Sequence, residues 1–138
     1  MANAIYPKWK EALLQNSADS DLDGTGTTGV YALLIDTGTY TYNAAHQYYS
    51  DLSGIVNSEI EIGATKSYTS GTFDGADVTF TAVTGATVEA IVLFRKNAGA
   101  NTTWRLVAYL DTSFTGLPVT PNGGNITVAW HASGIFTL

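Results

Sequence analysis

The sequence contains no cysteine, which excludes disulfide bridges, thiolate metal sites and cysteine nucleophiles. Basic side chains are scarce: six Lys and Arg stand against twelve Asp and Glu, for a net charge of -6. Because nucleic-acid affinity rests mainly on basic side chains, we expect no nucleic-acid partner. Charged residues make up only 13% of the chain, so much of the surface must be neutral. This composition is typical of a protein that makes extensive contacts with other proteins, and it is less typical of a free, highly soluble enzyme.

Long apolar runs and targeting signals are also missing. No apolar stretch reaches the roughly 18 residues of a membrane span, so we expect no membrane partner. The first ten residues are too polar and aromatic for a secretory signal peptide, so we expect a soluble protein that is not exported by such a signal. The length of 138 residues fits one domain, residues 1–138, that is large enough to close a core.

Residues 88–111 form two β-rich runs around a loop of small residues, which predicts a hairpin at the centre of the fold. Pairing Phe94 with Trp104 makes one side of the ladder apolar throughout, and we predict this register. The predicted core comprises side chains of this hairpin and one residue of a later strand: Val88, Val92, Phe94, Trp104, Leu106, Leu110 and Trp130.

Further short runs with alternating or continuous apolar residues predict more strands. They are residues 30–36, 55–62, 64–73, 77–83, 126–130 and 134–138. A short helix is predicted at 44–52, with Asn43 as its cap. Eight or nine short strands separated by turn residues predict an all-β fold with short helices. We expect an antiparallel β-sandwich of jelly-roll or immunoglobulin-like type.

The first 16 residues have helical spacing and predict a short N-terminal amphipathic helix. One interpretation is that the apolar stripe of this helix closes one end of the β core. The other is that the aromatic start of the segment docks on a partner subunit. The candidate interface residues are Ile5, Tyr6 and Trp9.

Residues 17–29 form an acidic, Gly-rich loop. Asp19, Asp21 and Asp23 match the first half of a calcium-binding loop, in which alternate carboxylates converge on the ion. The second half fails, because Val30 stands where a bidentate Glu is required. A solvated acidic loop is therefore the favoured interpretation, with a weak cation site as the alternative.

Catalytic groups are few. His46 and His131 are the only histidines, so a site rich in histidine is excluded. Ser50, His46 and Asp51 supply the residue types of a hydrolase triad, but no nucleophile elbow surrounds any serine. We predict no catalytic site and no cofactor.

Tyrosines are abundant and leave two interpretations open. Tyrosine stacks on sugars in carbohydrate-binding modules, and it also suits protein interfaces. The candidate tyrosines are Tyr31, Tyr40, Tyr42, Tyr48, Tyr49 and Tyr68.

Five segments, among them Phe73-Asp-Gly-Ala-Asp-Val-Thr-Phe80, resemble a family of small structural proteins of tailed bacteriophages. The other four are residues 32–40, 46–52, 88–94 and 116–124. The likeness covers nearly the whole chain. It implies a virion component, in particular a head decoration (cement) protein that binds and stabilises the outer capsid lattice.

The resemblance also implies partners and a location. The partner would be the major capsid protein, and the protein would sit on the capsid surface after synthesis in the host cytoplasm. We expect a homo-oligomer at a lattice symmetry point, with a trimer as the working hypothesis. The alternatives are a tail or neck structural protein, or a carbohydrate-binding attachment module.

Overall fold

The computed structural model describes residues 3–63 and 65–138. It contains three antiparallel sheets and one short α-helix, so the predicted all-β class is confirmed. The jelly-roll or immunoglobulin-like sandwich stays a prediction, since the sheet orders alone do not establish that type.

The elements follow one another with short connections. In chain order they are β1 (Ala4–Ile5), α1 (Pro7–Leu14), β2 (Val30–Ile35), β3 (Ile55–Glu61), β4 (Lys66–Ser67), β5 (Thr72–Gly75), β6 (Val78–Phe80), β7 (Ala90–Arg95), β8 (Arg105–Leu110), β9 (Phe114–Thr115), β10 (Ile126–Trp130) and β11 (Phe136–Thr137). Short 3-10 turns occur at Gly26–Thr28, Tyr49–Asp51, Thr69–Gly71 and Asn101–Thr103.

The largest sheet has five strands in the order β1-β8-β7-β2-β3. Every residue of β7 is buried, and so is every residue of β2 except the partly buried Tyr31. Because side chains alternate between the faces of a strand, both faces of this sheet are covered. This explains why the two strands are apolar runs rather than alternating patterns.

The predicted hairpin is confirmed as β7 and β8, but its predicted register is wrong. Phe94 pairs with Leu106 instead of Trp104, and a bulge separates this pair from Leu93, which pairs with Ala108. Trp104 lies outside the strand, and its ring stacks on Phe94 at a centroid distance of 5.7 Å. An apolar pattern fixes register only where one face is polar, and here both faces are buried.

The predicted core residues are buried in all but one case. The buried members are Val88, Val92, Phe94, Leu106, Leu110 and Trp130. Trp104 is only partly buried and packs against the core from outside the strand.

The connection between β2 and β3 covers one face of the large sheet with tyrosines. Tyr42 packs on Tyr109 at 5.6 Å between ring centroids, and Tyr49 packs on Phe94 at 5.0 Å. The helix predicted for 44–52 is wrong, because only Tyr49–Asp51 forms a 3-10 turn. The preceding chain is instead extended along β8, where the Leu106 N–H donates to the Gln47 carbonyl.

Two smaller sheets complete the fold, in the orders β6-β10-β9 and β11-β5-β4. The predicted alternation in β10 is confirmed, since Ile126, Val128 and Trp130 are buried. The strand predicted for 64–73 is observed in pieces as β4 and the start of β5, and its Ala64 lies outside the described residues.

The N-terminal helix is shorter than the predicted 1–16, and Met1 and Ala2 lie outside the described residues. It begins at Pro7, whose fixed φ suits a first turn, and ends at Leu14. Trp9 and Ala12 face the core. Trp9 makes an edge-to-face contact with Phe136, with ring centroids 5.8 Å apart. The interpretation that this helix closes the β core is therefore confirmed.

Candidate interaction surface

A groove runs between two sheet edges that belong to different sheets, and its lining is mixed at one end and mainly apolar at the other. It consists of two hollows of about 380 and 430 Å³ that share Ile5 of β1 and Thr137 of β11. The first hollow has Leu110, Ile135 and Phe136 among its lining residues. We call the two hollows together the edge groove. Its residues are Asn3, Ala4, Ile5, Lys10, Leu13, Leu14, Leu110, Ser113, His131, Ser133, Gly134, Ile135, Phe136, Thr137 and Leu138.

Large hydrophobic side chains are exposed at this groove. Leu14 is 89% exposed and Leu138 is 62% exposed, and Tyr68 at 46% is the only other such residue recorded for the described chain. Scattered exposed hydrophobics are ordinary, but two that line one groove form a patch of the kind that contacts other molecules.

Side chains of the helix α1 form the outer wall of the groove. Since residues four apart lie on the same helix face, Lys10 and Leu14 project together, with Leu13 beside them. Trp9 and Ala12 are buried on the side of the helix that faces the core, away from Leu14, and they fix the rotation of the helix. The short connection from β1 into Pro7 then holds Ile5 next to this wall.

The predicted interface residues fall partly inside and partly outside the groove. Ile5 lines both hollows. Tyr6 and Trp9 are wrong as docking residues, because they are 0% and 2% exposed and belong to the core. The sequence analysis selected the stripe that contains the aromatic residues and missed Leu14. Leu14 lies four positions after Lys10 and outside that stripe.

The acidic loop is held against the sheet by hydrogen bonds to its backbone. Trp9 Nε1 donates to the Ser20 carbonyl at 2.9 Å, and Arg95 Nε donates to the Asp21 carbonyl at 3.2 Å. Lys66 Nζ donates to the carbonyl of Gly24. The loop therefore has a defined conformation although it contributes few side chains to the core.

Two of the three carboxylates considered for the alternative of a weak cation site, those of Asp19 and Asp21, lie against a guanidinium. Arg95, which is 5% exposed, lies 2.9 Å from Asp21 Oδ1 and 3.4 Å from Asp19 Oδ1. Partial burial favours the neutral acid at Asp21, but hydrogen bonds with Asp23 and Arg95 outweigh it and lower the pKa of the Asp21 carboxyl. Within residues 3–63 and 65–138, no three side chains of the metal-ligating types come together in a possible metal site.

His46 ends a buried hydrogen-bonded chain. Its Nδ1 lies 2.9 Å from the Tyr40 hydroxyl, which lies 2.8 Å from the Tyr6 hydroxyl. Burial raises the pKa of Tyr6 and of Tyr40, because an ionised phenol would lose its hydration there. These hydrogen bonds link the residue before α1 to the connection between β2 and β3, which covers the large sheet. Their role is therefore structural.

Of the residues considered for a triad, Asp51 is hydrogen-bonded to the backbone and His46 Nδ1 is hydrogen-bonded to Tyr40. Asp51 Oδ2 accepts hydrogen bonds from the backbone N–H groups of Tyr48 and Gln47, at 2.9 and 2.8 Å. These bonds lower the pKa of the Asp51 carboxyl and orient it towards the backbone. His131 Nδ1 accepts a hydrogen bond from the Ser133 N–H at 3.0 Å, at the rim of the edge groove.

Two of the tyrosines considered for sugar stacking, Tyr31 and Tyr40, are covered by other parts of the protein. Lys96 Nζ lies 4.8 Å from the ring centre of Tyr31 and 4.7 Å from that of Trp104, and 2.8 Å from Glu59. The hydrogen bond that Lys96 Nζ donates to Glu59 raises the pKa of Lys96. Tyr40 is buried and cannot stack on a sugar. A cation–π pair of this kind leaves little ring surface for a ligand.

No helix in the described part of the chain has the length and apolar character needed to cross a membrane. Comparisons with protein-family models, with curated protein sequences and with solved structures found no match.

Proposed function

We propose that this protein is a structural component of a tailed-bacteriophage virion, and in particular a head decoration protein that binds the outer capsid lattice. The proposal combines the sequence resemblance with one structural observation, the exposed edge groove. An apolar groove on an otherwise well-buried β scaffold suits a protein whose work is adhesion. The major capsid protein is the proposed partner.

The physics of decoration is compatible with this chain. A protein that binds only the assembled lattice stabilises the assembled state by mass action, and the effect is summed over many copies. A net charge of -6 does not oppose binding to the outside of a shell, whereas a component facing DNA would gain from basic side chains. The β core supplies a rigid body that holds the groove in one shape.

Self-association on the lattice is part of the proposal. The copies would form a homo-oligomer at a symmetry point, with a trimer as the simplest closed arrangement that matches a threefold axis. Sedimentation of the free protein and of protein released from particles measures this state directly.

The proposal is tested by comparing particles with and without the protein. We expect particles that lack it to release DNA at a lower temperature and to break more readily under osmotic shock. Adding back purified protein should restore both. Equal resistance of the two particles would contradict a cementing role.

Copy number separates the head from the neck and tail. Quantitative mass spectrometry of purified virions should give hundreds of copies for a decoration protein. Six or twelve copies would support the alternative of a neck or tail component.

A further inference from the structure

Among residues 3–63 and 65–138, no backbone hydrogen bond uses the N–H or C=O of Ile5 in β1. Ala4 pairs with Tyr109 and Ile5 with Ala108, and the Tyr6 N–H donates to the carbonyl of Val107. Facing residues of an antiparallel pair alternate between hydrogen-bonded and non-hydrogen-bonded pairs. Ile5 is therefore in a non-hydrogen-bonded pair, and its N–H and C=O point away from β8.

The same reasoning applies to β11. Thr137 faces Thr72, and the next residue, Leu138, donates its N–H to the Gly71 carbonyl. This places Thr137 in a non-hydrogen-bonded pair, so its N–H and C=O point away from β5. Both strands are edges of their sheets, and no pairing of described strands joins one to the other.

These two residues, Ile5 and Thr137, are also the two shared by both hollows of the edge groove. Two unpaired strand edges thus meet one apolar groove. Exposed edges are the surfaces to which extended peptides add as further strands, with the backbone supplying affinity and the side-chain pockets supplying specificity.

The charge of the groove indicates what such a peptide should carry. Among the described residues lining the two hollows there is no Asp or Glu, and the ionisable side chains are Lys10 and His131. Lys10 has no ion pair in the described part of the chain, whereas Lys8 pairs with Glu11 at 2.9 Å. In a chain with twice as many acidic as basic side chains, this groove is complementary to a carboxylate.

We propose that the edge groove binds an extended peptide segment of the partner, which adds as a β-strand to β1 or β11. Its apolar side chains would pack on Leu14 and Leu138, and one Asp or Glu would pair with Lys10. This inference rests on the proposed function, since it names how the partner is held.

The test uses the isolated protein and a defined probe. The probe is a capped octapeptide of alternating valine and threonine in which one threonine is replaced by glutamate. We expect millimolar peptide to shift the NMR signals of groove residues and to slow amide exchange at Ile5 or Thr137 by more than about tenfold. A version methylated on every backbone nitrogen should not bind, because neither of its edges keeps the N–H donors of a strand.

Two variants of α1 supply a matched pair. Lys10→Gln should weaken peptide binding by about two- to fivefold, the size of an exposed ion pair. Lys8→Gln removes the same charge outside the groove and should leave binding unchanged. Leu14→Asp should weaken binding by more than about fivefold, since it places a charge in the apolar wall.

Two results would overturn the inference. One is the absence of shifts at the groove with all peptides. The other is concentration-dependent shifts at Ile5 and Thr137 without any peptide, which would make the occupant a second copy. If the protein decorates and stabilises capsids while either result holds, the proposed function stands and only the strand-addition inference fails. If peptide binds but particles lacking the protein are equally robust, the decoration role fails instead.

Discussion

The centre of the large sheet and the edge groove are both apolar, yet they differ in how much of that surface is buried. Phe94 and Leu93 are 0% exposed, whereas Leu14 is 89% exposed. Apolar surface that is buried within one chain stabilises the fold of that chain. Apolar surface that stays exposed can instead stabilise a contact with another molecule. The comparison predicts that core substitutions affect folding and groove substitutions affect binding.

The largest effect is expected at the sheet centre. Phe94→Ala removes a ring that packs on Tyr31, Tyr49 and Trp104. We expect a loss of about 3–5 kcal/mol in the free energy of unfolding, measured by urea denaturation. Leu14→Ala is the control and should change it by less than ~0.5 kcal/mol. Similar losses for both variants would remove the distinction between the regions.

A smaller loss is expected where the acidic loop is attached to the sheet. Arg95→Met removes the hydrogen bonds to the Asp21 carbonyl and carboxylate. We expect about 1–3 kcal/mol, because the guanidinium is buried but its partners are partly exposed. Hydrogen exchange should accelerate at residues 18–24 and not in β7 or β8.

The control for this substitution is Lys8→Met, which breaks an exposed ion pair and should cost less than ~0.5 kcal/mol. Acid should act on the same loop. Because the pKa of Asp21 is lowered by folding, its contribution is present above its unfolded value of about 4 and is lost as pH falls. Unchanged exchange at 18–24 in the Arg95 variant would show that the loop is held by other contacts.

Alkaline pH should lower the free energy of unfolding through the buried tyrosines. Burial raises the pKa of Tyr6, so this phenol stays neutral in the folded protein while the unfolded chain ionises above about pH 10. Stability is therefore fully present below about pH 10 and falls as the pH rises above it.

Tyr6→Phe should cost about 1 kcal/mol at neutral pH, because it removes the hydrogen bond to Tyr40, and should reduce the alkaline loss. Urea midpoints between pH 7 and about 11 measure both effects. Tyr68→Phe, at a residue that is 46% exposed, is the comparison variant and should reduce the alkaline loss less than Tyr6→Phe does. An alkaline loss identical in the Tyr6 variant and the wild type would contradict the assignment.

The smallest effect on stability is expected at the groove itself. Leu14→Asp should change the free energy of unfolding by less than ~0.5 kcal/mol, because the side chain is already exposed. The same variant should lose most of its binding to particles, measured by co-sedimentation with capsids that lack the protein. Tyr68→Asp tests an exposed hydrophobic elsewhere and should retain binding. Full binding by the Leu14 variant would exclude the groove as the contact.

The sequence predicted those parts of the fold that depend on local pattern. Alternation identified β10 with Ile126, Val128 and Trp130 inward, and helical spacing identified α1. It failed for 44–52, where Gln47 pairs with Leu106, because a distant strand overrides local helix preference.

The edge groove could be predicted from the sequence only in small part. Ile5 was identified as an interface candidate, but only as part of an aromatic stripe that turned out to be core. Whether the backbone of Ile5 or Thr137 is free depends on the strand register, which a pattern does not encode when both faces are apolar. The meeting of two sheet edges is a tertiary feature, set by residues far apart in the chain.

The most direct test of the proposed adhesive role is a cryo-EM map of the phage particles to which we propose that this protein belongs. We predict that its density lies on the outer capsid surface, with Leu14, Ile5 and Thr137 at the contact and an extended segment of the neighbouring protein beside β1 or β11. A map in which the edge groove faces solvent while another surface makes the contact would contradict this role.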